Sequence, residues 1–414
     1  MLSGTRRAAL LLGLSLLATP AFALTRSLAP PPAWVGTWAS AQMTPGADSA
    51  LSPVDATDVT LRQIVRITKG GGTIRIKLSN VMSNAPLRLQ NVHVARALSS
   101  AGAGIDPASD RAVTCGGMSD IVIPAGADYL SDPVAIALPD QADLAISFHM
   151  AEPPAQQTGH PGSRATSYLA PGGHSAEADL PGATAVNHWF HIAGVDVMAP
   201  VGTRAIVTFG DSITDGYGIT PNSNRRFPDR LAERLKEHPL TVINAGIGGN
   251  RLLLDGNGHN ALARFERDVL SQSGIGYVIV LEGVNDLGML TKEAPATPDA
   301  HAALVSQLKA AYLQIIAKAH SRGLKIYGGT ITPYMGMDFY HPEPVSEADR
   351  QAINSWIRTS GAFDAVIDFD AALRDPAKLD HLKAEYDSGD HIHPSEAGYK
   401  AMADAVSLTL FGIK

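Results

Sequence analysis

The stretch TFGDSITDGYG, residues 208–218, decides how the second half of the chain is read. An apolar run, Ala205 to Phe209, stops at a turn rich in glycine and aspartate. This junction predicts a buried strand turning into a helix, with Ser212 at the apex. Gly, Asp and Ser suit any strand-to-helix turn, so the stretch alone leaves Ser212 either a turn hydroxyl or a nucleophile.

Downstream, strand-like runs AIVTF, TVINA, YVIVLE, LKIYGGT and FDAVIDF alternate with helical segments. FPDRLAERLKEH places Phe227, Leu231 and Leu235 on one face, with Pro228 suited to a first helical turn. DAHAALVSQLKAAYLQIIAKAHSRG predicts a long helix stopped by Gly323, and SEADRQAINSWIRTSG a helix opening on Ser346 and closing on Gly361. Apolar strands alternating with helices imply a parallel sheet covered on both faces. In such sheets ligands bind outside the carboxyl ends of the strands, and Ser212 lies just past the first of them.

Upstream, from Trp34 to His191, the pattern is strands and turns. TIRIKLSN sets Ile74, Ile76 and Leu78 against Arg75, Lys77 and Ser79, a period of two with one buried face. LRQIVRIT has similar character, and Gly70-Gly71-Gly72 between the two predicts a hairpin. NVHVARA, DIVIPAG, PVAIALP and DLAISFHM continue as short strands, and no amphipathic helix interrupts them. The expectation is an antiparallel β-sandwich of jelly-roll type. Trp34, Trp38 and Trp189 flank it without forming an aromatic platform in any one strand, and the polar segment TGHPGSRATSYLAPGGH is long enough to reach the catalytic face. The two periodicities divide the chain into a β-sandwich domain over residues 34–198 and an α/β domain over 201–414.

The chain has 414 residues, 45% hydrophobic and 18% charged, enough for packed cores. Its net charge is −7 with no basic run, which argues against nucleic acid as a partner. Arg6 and Arg7 precede an apolar segment Ala8–Ala18 and a small-x-small pattern ending at Ala23. That layout predicts a secretory signal over residues 1–23, cleaved after Ala23, and a secreted or periplasmic protein. The apolar run falls short of the roughly 20 residues a spanning helix needs, so stable membrane insertion is not expected. The single cysteine, Cys115, leaves no internal disulfide and reads as a small buried residue.

A nucleophilic serine needs a base, a group that orients the base, and donors for the oxyanion. Thr214 stands where G-x-S-x-G would require glycine, so the α/β-hydrolase elbow is absent. Near the C-terminus, DSGDHIHPSEAGY offers Asp390 and His393 three residues apart in a short loop. That spacing brings a carboxylate to one ring nitrogen and leaves the other free to accept a proton. Asp387, Asp390, His391 and His393 also supply ligand types for a metal. TVINAGIGGN ends a strand in glycines whose amides can face a ligand, and VIVLEGVNDLG presents Asn285 at another strand end.

These four blocks in order resemble the SGNH hydrolases, also called GDSL esterases and lipases. The matching residues are GDSI with Ser212, NAGIGGN with Gly249, GVND with Asn285, and DHIHP with Asp390 and His393. The resemblance covers Ala205 to the C-terminus and implies a flavodoxin-like α/β/α fold acting without a cofactor. It implies Ser212 as nucleophile, His393 as base with Asp390, and an oxyanion hole of Ser212, Gly249 and Asn285. Gly248 occupies a place where serine is frequent, so Gly248 and Gly249 both stay open as the donor. WVGTWASAQ, LRQIVRI, IRIKLSN and FHIAGVDV resemble the β-sandwich of a secreted branch that includes xylan-associated esterases. The implied substrate is a small-molecule or polysaccharide ester with a short, acetyl-type acyl group. A lipase or lysophospholipase, and a carbohydrate-binding protein with an inactive hydrolase half, are the alternatives.

Overall fold

Five strands, Leu240–Gly246, Arg204–Gly210, Ile275–Leu281, Lys325–Gly329 and Ala365–Ile367, pair in that spatial order, all parallel, in the computed structural model. The structure describes Met1 and residues 33–413; the expected signal over 1–23 lies outside the described residues. The order is the flavodoxin-like one, with the first strand in sequence second from the edge. Ile206, Val207 and Phe209 are fully buried, as are Val278 and Ile326, because helices cover both faces. The helix Phe227–Leu235 buries Phe227, Leu231 and Leu235 as its spacing requires. Pro298–Ser321 stops before Gly323, whose φ of +69° is the left-handed turn glycine tolerates. The next helix, Pro344–Thr359, starts earlier than Ser346 suggests. Pro344 pre-sets its first turn, and Ser346 accepts from the Glu343 amide at 3.2 Å, a partner within the first turn.

The N-terminal half is an antiparallel sandwich of a five-stranded and a seven-stranded sheet. Ile74, Ile76 and Leu78 face its core together with Leu61, Val65, Phe148 and Val195. The hairpin expected at Gly70–Gly72 does not form. Val59–Arg66 pairs with Ser167–Pro171 and Asp143–Met150 in one sheet, while Gly71–Ser79 pairs with Ile192–Ala199 and Val134–Leu138 in the other. The glycines serve close packing at this crossing: a Cβ on Gly70 would overlap Leu138 and Pro139 backbone, and one on Gly71 would meet Val197 at 2.6 Å. Cys115 is buried, and burial, then Asp132, pushes its thiol up to about 11. Trp38 and Trp189, far apart in sequence, meet edge to face at 5.0 Å and are buried, so they form core.

Residues 33–413 form one compact unit. Strand Ala33–Ala39 runs beside the edge strand Leu240–Gly246: Thr241 Oγ1 donates to Gly36 O at 2.6 Å, and the Gly36 amide donates to Ser273 O at 2.9 Å. Among the described residues no helix is long and apolar enough to cross a membrane.

Two strand ends explain how the 208–218 turn sits on the sheet. A Cβ on Gly210 would overlap Thr214 and the Leu281 carbonyl, and one on Gly246 would overlap the Asp215 backbone. The turn lies flat on its own strand end and its neighbour's because neither carries a side chain. Gly246→Ala is therefore expected to destabilise by about 1–3 kcal/mol, since backbone must move. Gly72→Ala, whose added methyl meets nothing, is expected to stay within about 0.5 kcal/mol of the parent. Urea unfolding of the two variants checks the contrast.

Candidate active site

Ser212 opens the short helix Ser212–Asp215, capped by Asp211 Oδ1, which accepts from the Ile213 amide at 2.9 Å. The helix closes on Gly216 at φ +94°. The first amide of a helix has no acceptor within the helix, so the Ser212 N–H is free to face a ligand. Asp390 and His393 lie on a loop clamped at its base, where Ser388 N donates to His393 O at 3.0 Å and Ser395 N to Tyr386 O at 2.8 Å. Asp390 Oδ1 accepts from the His393 amide at 2.9 Å, and Asp390 Oδ2 lies 2.6 Å from His393 Nδ1. His393 Nε2 is 2.8 Å from Ser212 Oγ. A carboxylate can only accept, so Nδ1 carries the proton and Nε2 accepts from the serine hydroxyl. Burial alone would push Asp390 up, but the His393 ring and the amides of His393 and Ile392 together hold it well below the usual carboxylate range.

His391 is separate from this chain of bonds. Its φ of +67° turns it away, and its ring pairs with Asp387 at 2.7 Å. The four residues that supply metal-ligand types thus form two independent His–Asp pairs.

Gly248, Gly249 and Asn285 join Ser212 and His393 in lining one cleft of about 680 Å³. Gly249 has φ +72°, and a Cβ there would sit 2.6 Å from Asn257 Nδ2. Both features call for glycine at this position. Asn285 Nδ2 donates to Asn250 O at 2.8 Å with one hydrogen and keeps the other. Its Oδ1 accepts from the Tyr340 hydroxyl at 2.7 Å, which fixes which end of the amide faces the cleft.

Several lining residues have no counterpart in the four sequence blocks. Tyr340, Met337 and Phe339 come from the loop after Lys325–Gly329, another strand carboxyl end, which is the signal that could have found them. Pro161, Gly162 and Arg164 come from the sandwich, where the polar segment does reach the cleft. His160, in the same segment, places Nε2 2.9 Å from Asp215 Oδ1. Tyr217 packs its ring 4.1 Å from that of His393.

Beneath Ser212 lies a buried acidic group. Burial, and next the nearby Asp286, push Asp211 up to about 7, against the pull of the Ile213 amide and Arg264. Burial likewise pushes Asp286 up to about 6 and Glu282 well above its ordinary value. A carboxyl raised above its unfolded value of 3.8 holds its proton more tightly in the folded state. The resulting stability is complete below the unfolded value and is lost as pH rises through the folded one. Thermal stability should accordingly decline from about pH 4 to 7. Asp211→Asn keeps the capping oxygen and should flatten part of that decline in melting curves recorded across the range.

The Tyr340 contact gives a second expectation. Tyr340→Phe frees the Asn285 amide to turn, and kcat for an activated ester should fall about tenfold with KM little changed. Steady-state kinetics on p-nitrophenyl acetate reads both.

Residues 208–401 match the model of the GDSL-like Lipase/Acylhydrolase family. Among solved structures, the chain is similar to a lipase/acylhydrolase from Enterococcus faecalis, at 22% identity and TM-score 0.37, covering 49% of this chain and 92% of that one. A GDSL-like lipase from Bacteroides thetaiotaomicron is 15% identical, with TM-score 0.37 and coverage of 51% and 89%. The acetyl xylan esterase AlAXEase is 21% identical, with TM-score 0.36 and coverage of 49% and 96%. A search of curated proteins returns no match.

Proposed function

We propose, from the match of residues 208–401 to the GDSL-like Lipase/Acylhydrolase family, a secreted serine esterase acting through Ser212, His393 and Asp390. The observation that carries the roles is the bond sequence from Asp390 to His393 at 2.6 Å and from His393 to Ser212 at 2.8 Å, opening on the cleft.

In the proposed reaction Ser212 Oγ attacks the ester carbonyl while its proton passes to His393 Nε2. Asp390 holds Nδ1–H in place and stabilises the imidazolium that forms. The carbonyl oxygen gains negative charge, which the Ser212 amide, a glycine amide at 248 or 249 and Asn285 Nδ2–H receive. Collapse of the tetrahedral intermediate breaks the bond to the alcohol, whose oxygen takes the proton from His393. Water then repeats the sequence on the acyl-serine, with His393 again as base, and releases the acid.

The preferred ester in this proposal carries a short, acetyl-type acyl group on a carbohydrate or a similar hydroxyl-rich alcohol. Asp48, Ser49, Arg164 and Asn257 around the cleft offer hydrogen bonds that hydroxyl groups can use, and Tyr217 is 44% exposed as an apolar face beside them. Phe339, 52% exposed at the same cleft, favours the second reading, a lipase that takes longer chains.

Ser212→Ala and His393→Ala are each expected to lower kcat on p-nitrophenyl acetate by about 10⁴-fold or more with the fold retained by circular dichroism. His391→Ala should cost far less. Full turnover by Ser212→Ala would refute the mechanism. A series from acetate to dodecanoate decides the acyl preference, since rates that rise with chain length select the lipase.

A further inference from the structure

We infer that Arg164 forms an anion subsite on the leaving-group side of the cleft, so that the alcohol portion of the preferred ester carries a carboxylate. The inference rests on the proposal that Ser212 is the nucleophile and His393 its base, and it narrows the substrate class of that site.

Arg164 lines the cleft, yet among the described residues no carboxylate lies within ion-pair distance of it. Its Nε is buried without a hydrogen-bond partner. Of the nearby carboxylates, Asp390 holds His393, and Asp215 binds His160 through Oδ1 while its buried Oδ2 has no partner; neither forms an ion pair with Arg164. Asp48 is exposed at the rim. The terminal guanidinium nitrogens of Arg164 are not buried and make no hydrogen bond among the described residues, so they are open to an acceptor in the cleft. The planar fork matches the two oxygens of a carboxylate.

The backbone holds this cation in place. Arg164 has φ +48° and Asn222, which binds it, has φ +64°, the left-handed region that is costly for residues with a Cβ. The Asn222 amide donates to Arg164 O at 2.8 Å, Asn222 Oδ1 accepts from Thr166 N at 2.8 Å, and the Arg226 guanidinium donates to Ser163 O. Three bonds from the α/β half therefore fix a strained loop of the sandwich above the cleft.

Tyr217 sets the side. Its ring packs 4.1 Å from the His393 ring and carries the Arg164 guanidinium 4.7 Å from its centre. His393 passes its proton to the departing oxygen, so the alcohol leaves on the His393 side. An anion that reaches Arg164 belongs to that alcohol.

The test compares p-acetoxybenzoate with the neutral p-acetoxybenzamide, each rate divided by its alkaline hydrolysis rate to remove leaving-group electronics. A second pair, mono-p-nitrophenyl succinate and p-nitrophenyl butyrate, places the charge on the acyl side. The wild type should favour p-acetoxybenzoate by about tenfold or more in kcat/KM, the scale of one charge-assisted hydrogen bond. Arg164→Gln should collapse that ratio, and Arg164→Lys, a point charge without the fork, should keep part of it. Absence of a preference, equal losses on both substrates in Arg164→Gln, or a preference confined to the succinate pair would each overturn the inference. Wild-type protein inert on all four esters would refute the esterase proposal instead. Calorimetric binding of p-hydroxybenzoate against p-hydroxybenzamide to Ser212→Ala, with and without Arg164→Gln, then reads the subsite without turnover. A carboxylate preference that depends on Arg164 supports it, and equal binding overturns it.

Discussion

One buried guanidinium holds the site together. Arg264, with no exposed side-chain surface, donates to Gly210 O at 2.9 Å, Ala245 O at 2.7 Å and Asn250 Oδ1 at 2.9 Å. It also pairs with Asp268 and Glu282, each at 3.1 Å, and lies over the Phe209 ring. Gly210 precedes the Ser212 turn, Ala245 and Asn250 bracket Gly248 and Gly249, and Glu282 precedes Asn285. A single rigid fork thus fixes the relative positions of three of the four blocks. Carbonyl ends of parallel strands are partial negative charges in need of donors, and a planar group with five donors satisfies several at once. A lysine has neither the number nor the spread of donors for the same task.

That arrangement gathers acid beneath Ser212. Asp211 and Glu282 are buried near Arg264 with Asp286 buried beside them, and burial raises all three above their ordinary values. Their hydrogen bonds explain why acids are kept there. Asp211 caps the Ser212 turn, while Asp286 accepts from the amides of Leu252 at 2.7 Å and Leu253 at 3.0 Å. Within GVND the two neighbours divide the work: Asn285 faces the cleft, and Asp286 ties its helix to the glycine loop. A protonated or neutral replacement could make some of these bonds, but an ionised carboxyl accepts from two amides at once, as Asp286 does.

What the sequence disclosed followed the length scale of each signal. Strands and helices were legible because their periodicity is local, and Asp390–His393 because three residues close a loop on itself. The meeting of that pair with Ser212 spans 181 residues, and only the ordered set of blocks pointed to it. Gly70–Gly72 misled because a glycine run marks a sharp change of direction without saying which sheet receives the next strand. Here Gly70 packs against backbone and Gly71 against Val197, and the chain crosses the sandwich rather than folding back. For Tyr340 and Arg164 the sequence pointed at most to the loop, a strand end in one case and a long polar segment in the other, and not to the residue. Each comes from a loop whose target lies about half a hundred residues away or in the other half of the chain, and nothing local in their sequence records that partner.

The sandwich does more than border the α/β half. His160 faces the Ala41 carbonyl at 2.8 Å with one nitrogen and Asp215 with the other, and both acceptor and ring are buried. Asp215 belongs to the four-residue helix that begins with Ser212. Without the sandwich that carboxylate would lose its partner at the turn that carries Ser212, and its other oxygen, Oδ2, already has no hydrogen bond. A Cβ on Gly162 would overlap Asp215, so the sandwich loop approaches this turn as closely as backbone allows. Removing the donor from a buried, hydrogen-bonded carboxyl group leaves that group's desolvation cost unmet. The sandwich and the parallel sheet therefore share one polar junction, and the geometry around Ser212 is a property of both.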